Sequence, residues 1–557
     1  MREFSVLTGG KAGEGIDRAT LILGHLLNRC GYRIYIYHDY PSLIRGGHTF
    51  SIIRATHARI GAHREKIDLL LALNGETIDL HQTRLNEDAL VIYDSDAVKA
   101  PVLSGQIRMM GLPIGTIVKE ENAHEVMRNI CMIGAFAKAI GVPMETLAKV
   151  ITDNFPKETA QNVKIAERGF AAAETARNIA PPAAEPLPLI SGSQAIGLGL
   201  VKGGLQDYIA YPMTPTTPLL HFLAERADEF SLKVIHPESE IGVMLMALGF
   251  AYAGERAAVG TSGGGFCLMT EGLSLSGMSE TPVVIVLGQR PGPSTGLPTY
   301  SGQADLRFAL SAGQGEFPRF IVAPGDLEEA YFWSALALNL AWKYQIPAIV
   351  LTDKNLNEGI GNFDMGSVEE IPEILPVVWD GKMPYKRYED EDGGVSPLAF
   401  APQKDIVIKA NSYEHDEFGI TTEDGIITRK MQDKRLRKER LLRDELKGFR
   451  QVNRCGDKNS STALLCWGSN KGVCTELAQK LGLKMVQPVV LSPFPEDAFR
   501  EAVRGIEKLI VVENNATGQL AGLIRSHGFR ADRMILKYDG RPFALDELEI
   551  RVKEAIR

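Results

Sequence analysis

The sequence predicts an α/β protein built from three successive domains. Three observations carry that prediction. A short apolar run at residues 4–7 leads through a glycine-rich turn into a helix-periodic stretch. Residues 191–375 alternate apolar strand-like runs with helical patterns, and the same alternation returns after residue 456. In the first domain, residues 1–180, Ile16, Ala19, Ile22, Leu23, Leu26 and Leu27 recur at helical spacing, and residues 34–37, 67–73 and 90–93 read as further strands. A stretch rich in Ala, Pro and Glu follows, with Pro181-Pro182-Ala183-Ala184-Glu185-Pro186, and its composition suits an extended, solvated linker ending over residues 181–190. In the second domain, residues 207–210, 257–261, 282–288, 319–323 and 348–352 are strand candidates with helices between them, the pattern of a parallel sheet covered on both faces. Residues 376–455 read as an irregular connection with a charged helix. Residues 429–443 hold eight Lys or Arg, and Glu–Arg and Asp–Lys pairs at three- and four-residue spacing favour a solvated helix over an anion-binding arm. The third domain, residues 456–557, has strands at 462–467 and 508–513.

Length and composition narrow the function classes. At roughly 150 residues per domain, the 557 residues suit three or four domains, each able to bury a core. A net charge of −8 gives no field that favours nucleic acid or an anionic membrane. No apolar run reaches the roughly 18 residues of a membrane-spanning helix. Met1-Arg2-Glu3-Phe4 runs straight into a strand without a secretory pattern, so the expected compartment is the cytoplasm. The six cysteines, Cys30, Cys131, Cys267, Cys455, Cys466 and Cys474, form no C-x-x-C pair and suit neither a zinc site nor a ferredoxin-type cluster loop. No metal site is expected on this chain, and a redox reaction here would need its electron carrier on another.

Several loops carry candidate chemistry. Gly9-Gly10-Lys11-Ala12-Gly13-Glu14-Gly15 lies between a strand and a helix, where unpaired N–H groups favour an anion and Lys11 adds a mobile charge. It has neither dinucleotide nor P-loop spacing, so a plain tight turn stays equally open. Arg45-Gly46-Gly47-His48-Thr49 is a second glycine-rich turn. Tyr211-Pro212-Met213-Thr214-Pro215 follows the strand at 207–210, and Pro212 and Pro215 bracket Thr214 so that its hydroxyl is aimed. His236-Pro237-Glu238-Ser239-Glu240 puts a carboxylate pair before a long helix, either a site or a solvated turn. Thr261-Ser262-Gly263-Gly264-Gly265-Phe266 opens another helix. Gln289-Arg290-Pro291-Gly292-Pro293-Ser294-Thr295-Gly296-Leu297-Pro298-Thr299 is a rigid loop holding one arginine. Four polar loops after parallel strands occupy the place where open α/β sheets bind ligands.

Together these strings resemble the 2-oxoacid:ferredoxin oxidoreductase family in its fused form, where a gamma region precedes the alpha region. Gly9–Gly15 and Arg45-Gly46-Gly47 are similar to the gamma region. The Y-P-x-T-P and Q-R-x-G-P-S-T-G-x-P-T strings, Ser239-Glu240, and Glu513-Asn514-Asn515 with Gly518-Gln519-Leu520 are similar to the alpha region. The resemblance implies a gamma-type α/β domain, a parallel-sheet domain binding the aminopyrimidine of thiamine diphosphate, and a transketolase C-terminal-like domain. It implies oxidative decarboxylation of a 2-oxoacid to acyl-CoA and CO2. Coenzyme A is the co-substrate, and electrons pass to ferredoxin through a partner beta subunit that carries Mg2+ and a 4Fe-4S cluster, in an (alpha-beta)2 assembly. Cofactor contacts fall on Tyr211, Pro212, Thr214, Glu240 and Gly263, and substrate contacts on Arg290, Lys11 and Thr214. The matching carboxylate is Glu240 rather than Glu238 because it directly precedes the helix; bonded to the ring nitrogen, it favours the imino tautomer that takes the thiazolium proton. Family layout favours 2-oxoglutarate, with pyruvate or a branched-chain or aromatic 2-oxoacid as alternatives. A non-oxidative thiamine enzyme would need its own G-D-G…N diphosphate motif, which is not found, and a non-catalytic assembly module would have lost Thr214, Glu240 and Arg290. Two positions depart from the family pattern: Gly264 stands where relatives commonly have proline, and Gln314 where many have histidine, leaving no group there that titrates near neutral pH. Glu414-His415-Asp416-Glu417 resembles a family loop near CoA or the subunit contact, or else is a solvated turn.

Overall fold

The computed structural model describes residues 2–42, 47–99, 103, 105–154 and 157–557. Arg45 and Gly46 of the expected second turn lie outside them. The chain gathers into two compact units, one formed by Met1–Ile190, Gly359–Asp364 and Phe543–Glu554, the other by Ser191–Glu358, Met365–Pro542 and Ala555–Arg557.

The first unit is built round an eight-stranded sheet in the order Arg108–Leu112, Leu85–Asp94, Ile67–Ala72, β1 (Glu3–Lys11), His48–Thr56, Arg33–Asp39, Ile360–Asn362 and Leu189–Ser191. β1 runs parallel to Ile67–Ala72 and antiparallel to His48–Thr56. It is longer than the apolar run alone suggested: Gly9, Gly10 and Lys11 are strand, paired with Phe50, Thr49 and His48. Glycine lets the neighbours come close there: a Cβ on Gly9 would lie 2.6 Å from Thr77 Cγ2, and one on Gly10 2.6 Å from Glu14 Oε2 at the end of a flexible side chain. The turn proper is residues 12–15, and Gly15, at φ 77°, feeds α1 (Ile16–Arg29). Two segments return from far down the chain. Ile360–Asn362 pairs antiparallel with Arg33–Asp39, and Asp546 accepts the backbone N–H groups of Glu65 at 2.9 Å and Lys66 at 3.0 Å.

The second unit carries two sheets. The larger has seven strands in the order Val490–Ser492, Phe320–Val322, Pro347–Asp353, Val283–Gln289, Ala257–Ser262, Asp207–Ala210 and Lys233–Ile235. All its pairings are parallel except that of Val490–Ser492 with Phe320–Val322. In chain order the elements that position the site are β2 (Asp207–Ala210), α2 (Thr217–Glu225), α3 (Glu240–Ala253), β3 (Ala257–Ser262), α4 (Gly263–Ser279), β4 (Val283–Gln289), α5 (Leu306–Ser311) and β5 (Pro347–Asp353). Helices cover both faces, so the strands are apolar throughout, and β4, Val-Val-Ile-Val-Leu-Gly-Gln, is buried along its whole length. The five-stranded sheet runs Val452–Gly456, Lys484–Pro488, Thr462–Leu465, Lys508–Glu513 and Arg533–Leu536. One core joins both sheets, packing Ile321 and Leu351 of the first with Trp467, Phe494 and Val511 of the second.

The charged helix α6 (Gly425–Leu446) corrects an expectation. It is not solvated on all its charged faces: Lys434, Arg435 and Lys438 are 0%, 3% and 1% exposed. Lys434 Nζ donates to both oxygens of buried Glu280, at 2.9 and 2.8 Å, and Lys438 Nζ pairs with the same carboxylate. Arg387 donates to Glu280 O at 2.7 Å. Burial pushes the Glu280 carboxyl up, but the Lys434, Lys438 and Arg387 cations outweigh it and hold it well below the ordinary carboxylate range. The Glu414–Glu417 loop is clasped to the same helix: Arg435 forks onto Glu414 at 3.0 and 2.6 Å, and Lys430 holds Glu417 at 2.6 Å.

Candidate functional site

Parallel strands place the loops that follow them along one edge of the seven-stranded sheet. After β2, residues 211–216 form the turn that starts α2. Thr216 N donates to Met213 O at 2.8 Å and its hydroxyl donates to the same oxygen at 2.8 Å, closing the turn round half-buried Thr214. Two side chains from neighbouring strands pin its backbone. Arg290, just past β4, donates from Nη1 to Thr214 O at 3.0 Å, and Asn357, just past β5, donates from Nδ2 to Pro215 O at 3.2 Å. Tyr211 is at the exposed rim, its ring edge-on to His236 with centroids 5.7 Å apart. Pro212 lies beside it in the same turn. Met213 Cε and Ser294 O lie 3.9 and 3.8 Å from where a Cβ on Gly264 would be, so the loops after β2, β3 and β4 converge.

Glu240, the first residue of α3, is 6% exposed. Glu238 is exposed. Gly265 opens the space in which the Glu240 carboxylate sits, because a Cβ there would lie 2.6 Å from Glu240 Oε1 and 2.2 Å from Thr261 Oγ1. Among the described residues nothing hydrogen-bonds or ion-pairs with this carboxylate. Buried carboxyls are rarely left so. A polar ligand atom at this point would complete it, and an aminopyrimidine ring nitrogen meets that requirement.

Arg290 offers more than its tie to Thr214. Its Nε is buried and has no partner among the described residues. Burial lowers the guanidinium's pKa, and the charge of Asp305 opposes that. Asp305 heads α5, and its carboxylate lies against Gly263, where a Cβ would come within 2.6 Å of Oδ2. Burial pushes the Asp305 carboxyl up to about 6 while Arg290 pulls the other way.

The structure thus brings together Tyr211, Pro212, Thr214, Glu240, Gly263 and Arg290. Lys11 belongs to the first unit, at the end of β1, with its backbone N–H on Glu14 Oε2 at 2.7 Å. Gln314 is exposed, and its backbone N–H donates to Ser274 Oγ at 2.8 Å, three turns along α4 from Gly263. Asp305 and Asn357 were not found from the sequence. Neither stands in a recognisable string, and Gly302-Gln303-Ala304-Asp305 reads in the sequence as a plain continuation of the arginine loop. The Glu513-Asn514-Asn515 and Gln519 string turns out to hold that segment. Gln303 N donates to Asn514 O at 2.7 Å, Asn515 Nδ2 to Gln303 O at 3.1 Å, and Gln519 Nε2 to Ala304 O at 2.6 Å.

An open α/β sheet whose strand-end loops converge a buried carboxyl and a pinned guanidinium is the frame of a ligand-transforming enzyme. Residues 5–172 match the pyruvate ferredoxin/flavodoxin oxidoreductase family, and residues 199–433 match the thiamine-diphosphate-binding family of pyruvate flavodoxin/ferredoxin oxidoreductases. The 2-oxoacid:ferredoxin oxidoreductase subunit alpha of Sulfolobus sp. is 31% identical over 617 residues, covering 100% of this chain and 97% of that one. A 2-oxoglutarate oxidoreductase subunit of Mycobacterium tuberculosis is 26% identical over 93% of this chain and 86% of its own length. The solved 2-oxoglutarate:ferredoxin oxidoreductase of Magnetococcus marinus, with 2-oxoglutarate, coenzyme A and succinyl-CoA bound, superposes with a TM-score of 0.92 at 28% identity, covering 100% of both chains. The chain belongs to the 2-oxoacid:ferredoxin oxidoreductase family, as the alpha subunit of a multi-subunit enzyme.

Proposed function

We propose that this alpha subunit serves a CoA-acylating enzyme that oxidatively decarboxylates 2-oxoglutarate to its acyl-CoA and CO2 and passes two electrons, one at a time, to ferredoxin. The observation that carries the reading is the buried, unpartnered carboxylate of Glu240 over Gly265. Thiamine diphosphate, when bound, would supply a nucleophilic carbon and a cationic thiazolium ring able to take up the electron pair released with CO2. Glu240, only 6% exposed, shares a proton with the ring nitrogen of its aminopyrimidine. Tyr211, Pro212, Thr214 and Gly263 shape the ring's seat. Arg290, held at Nη1 by Thr214 O, presents Nε and Nη2 to the 2-oxoacid carboxylate, and the Thr214 hydroxyl is its further contact. Lys11 adds a second positive charge for the substrate.

The partner is a beta subunit carrying the diphosphate and Mg2+ site and a 4Fe-4S cluster, in an (alpha-beta)2 assembly. All six cysteines of this chain are unpaired thiols, as suits a reducing cytoplasm. Among the described residues no helix is long and apolar enough to cross a membrane. The choice of 2-oxoglutarate is supported by the bound 2-oxoglutarate of the Magnetococcus relative and the name of the Mycobacterium one. The test is the kcat/KM of the assembled enzyme for 2-oxoglutarate, pyruvate and a branched-chain 2-oxoacid, with CoA and ferredoxin present. A clear preference for 2-oxoglutarate is expected; a preference for pyruvate would overturn the substrate assignment while leaving the reaction class in place.

A further inference from the structure

We infer that Asp305 is a positioning residue that competes with the 2-oxoacid for Arg290, so that binding of the substrate carboxylate is coupled to protonation of Asp305. The inference rests on the reading that Arg290 receives that carboxylate.

Four observations support it. Asp305 Oδ2 is buried and accepts no hydrogen bond among the described residues, so its negative charge is answered chiefly by Arg290. The two close no ion pair: Arg290 is turned to Thr214 O, and its Nε is also buried and unpartnered. The backbone at Asp305 is held in place. Its own N–H donates to Gln289 Oε1 at 3.0 Å, Gln289 Nε2 is tied to Thr352 O at 3.0 Å, and Gln519 grips the residues on either side, accepting from Arg307 N at 2.9 Å and donating to Ala304 O at 2.6 Å. Finally, the Asp305 carboxylate packs against Gly263, where a Cβ would come within 2.6 Å of Oδ2.

The groups facing Asp305 are few. From β4 come Gln289 and Arg290. From α4 comes Gly263, with Glu240 of α3 lying farther along, over Gly265. On its own helix, Arg307 turns its guanidinium to Thr517 O. A second carboxylate arriving at Arg290 therefore meets the Asp305 carboxylate already facing the same guanidinium. Two like charges sharing one largely buried cation disfavour each other's ionised form, and the carboxylate without hydrogen-bond donors gives way by taking a proton. The sign follows. With no substrate bound, burial puts the Asp305 carboxyl at about 6. Substrate binding cancels part of Arg290's help and raises it further. Above the free-enzyme value, binding must take up a proton, so the 2-oxoacid KM climbs with pH, by at most about tenfold per pH unit. Below it, KM is flat. kcat, which reports the bound enzyme, does not follow the climb.

The test measures KM and kcat for the 2-oxoacid in the assembled holoenzyme from about pH 5.5 to about pH 8.5, spanning the carboxyl's window, for the wild type, Asp305→Asn and Arg290→Lys. Asn keeps the shape and removes the charge, so Asp305→Asn should show a KM that is several-fold lower than wild type at the alkaline end and flat with pH. A wild-type KM that does not climb, or an Asp305→Asn enzyme that climbs as steeply, overturns the inference. Arg290→Lys separates the two readings: an unchanged KM in that variant means that Arg290 does not hold the carboxylate. A raised KM there, with the pH climb surviving in Asp305→Asn, removes only the role of Asp305. Should Asp305→Asn fail to assemble, calorimetry on the wild-type holoenzyme decides, with 2-hydroxyglutarate, which cannot decarboxylate, as the probe in buffers of differing ionisation enthalpy. Proton uptake on binding above the free-enzyme value is expected, and its absence across the range overturns the proposal.

Discussion

Two glutamates, two residues apart, show how much a single position decides. Glu238 is exposed, whereas Glu240 is 6% exposed and has nothing bonded to its carboxylate among the described residues. Glu240→Gln keeps the volume but cannot share a proton in the same way, so turnover of the assembled enzyme should fall by roughly 10²–10⁴-fold while subunit assembly, read by gel filtration, is unchanged. Glu238→Gln is the control and should turn over normally; the reverse result would show that the wrong carboxylate had been chosen. Arg290 poses a different test. Its fork geometry, with Nη1 spent on Thr214 O, is something a lysine cannot reproduce. Arg290→Lys should lower kcat/KM by about 1.5–3 kcal/mol, a charge-assisted bond's worth, despite keeping the charge. Lys11 is a flexible point charge, and Lys11→Ala should act through KM with kcat nearly intact. A silent Lys11→Ala would reduce the glycines beside it to the close strand approach already visible at Gly9 and Gly10.

Helix α6 shows why charge patterning misleads at the level of the element. Eight cations within fifteen residues read as a solvated face, yet the helix turns Lys434 and Lys438 into the protein, onto Glu280. Removing one member of such a pair strands the others. Glu280→Gln should cost about 3–5 kcal/mol, measured as a fall in the denaturation midpoint of the chain. The cost should shrink as pH rises from mildly acidic to neutral. Burial lowers Lys438 to about 7 even with Glu280 opposing that shift, and without Glu280 its folded value falls further. Between that lower value and about 7 the wild-type fold keeps a proton that the variant's fold has lost, so the wild type's advantage declines as pH rises through this window and is constant above it. A midpoint deficit that is the same at mildly acidic and alkaline pH would contradict the account.

For the whole molecule, the proposed division of labour makes a direct prediction. The separately expressed chain should fold, remain colourless and show no oxoacid-dependent reduction of ferredoxin until a beta subunit is added. Strong absorbance near about 400 nm in the pure chain, of the kind thiolate-held clusters give, would place the cluster here and reassign the subunits. The two compact units are also a whole-molecule feature, because residues 359–364 and 543–554 leave the order of the chain to complete the first of them.

The strands and the polar loops that follow them were legible in the sequence, and so were Thr214, Glu240 and Arg290 as candidates. They depend on local rules: apolar runs for strands buried on both faces, prolines that set a turn, and glycines that open a helix. The resemblance carried by Y-P-M-T-P and Q-R-P-G-P-S-T-G-L-P-T then assigned their chemistry. What only the tertiary structure decided depends on partners distant in sequence. Asp305 matters because β4 sets Arg290 beside it and Gln519, more than two hundred residues on, locks its loop. Lys434 is buried because Glu280, 154 residues earlier, waits for it. Ile360–Asn362 is a strand of the first sheet because Arg33–Asp39 offers it an edge. A residue's type and spacing predict what it would do exposed or in regular structure, but burial, charge compensation and edge pairing are properties of what comes to lie beside it, and that is set by packing across the chain.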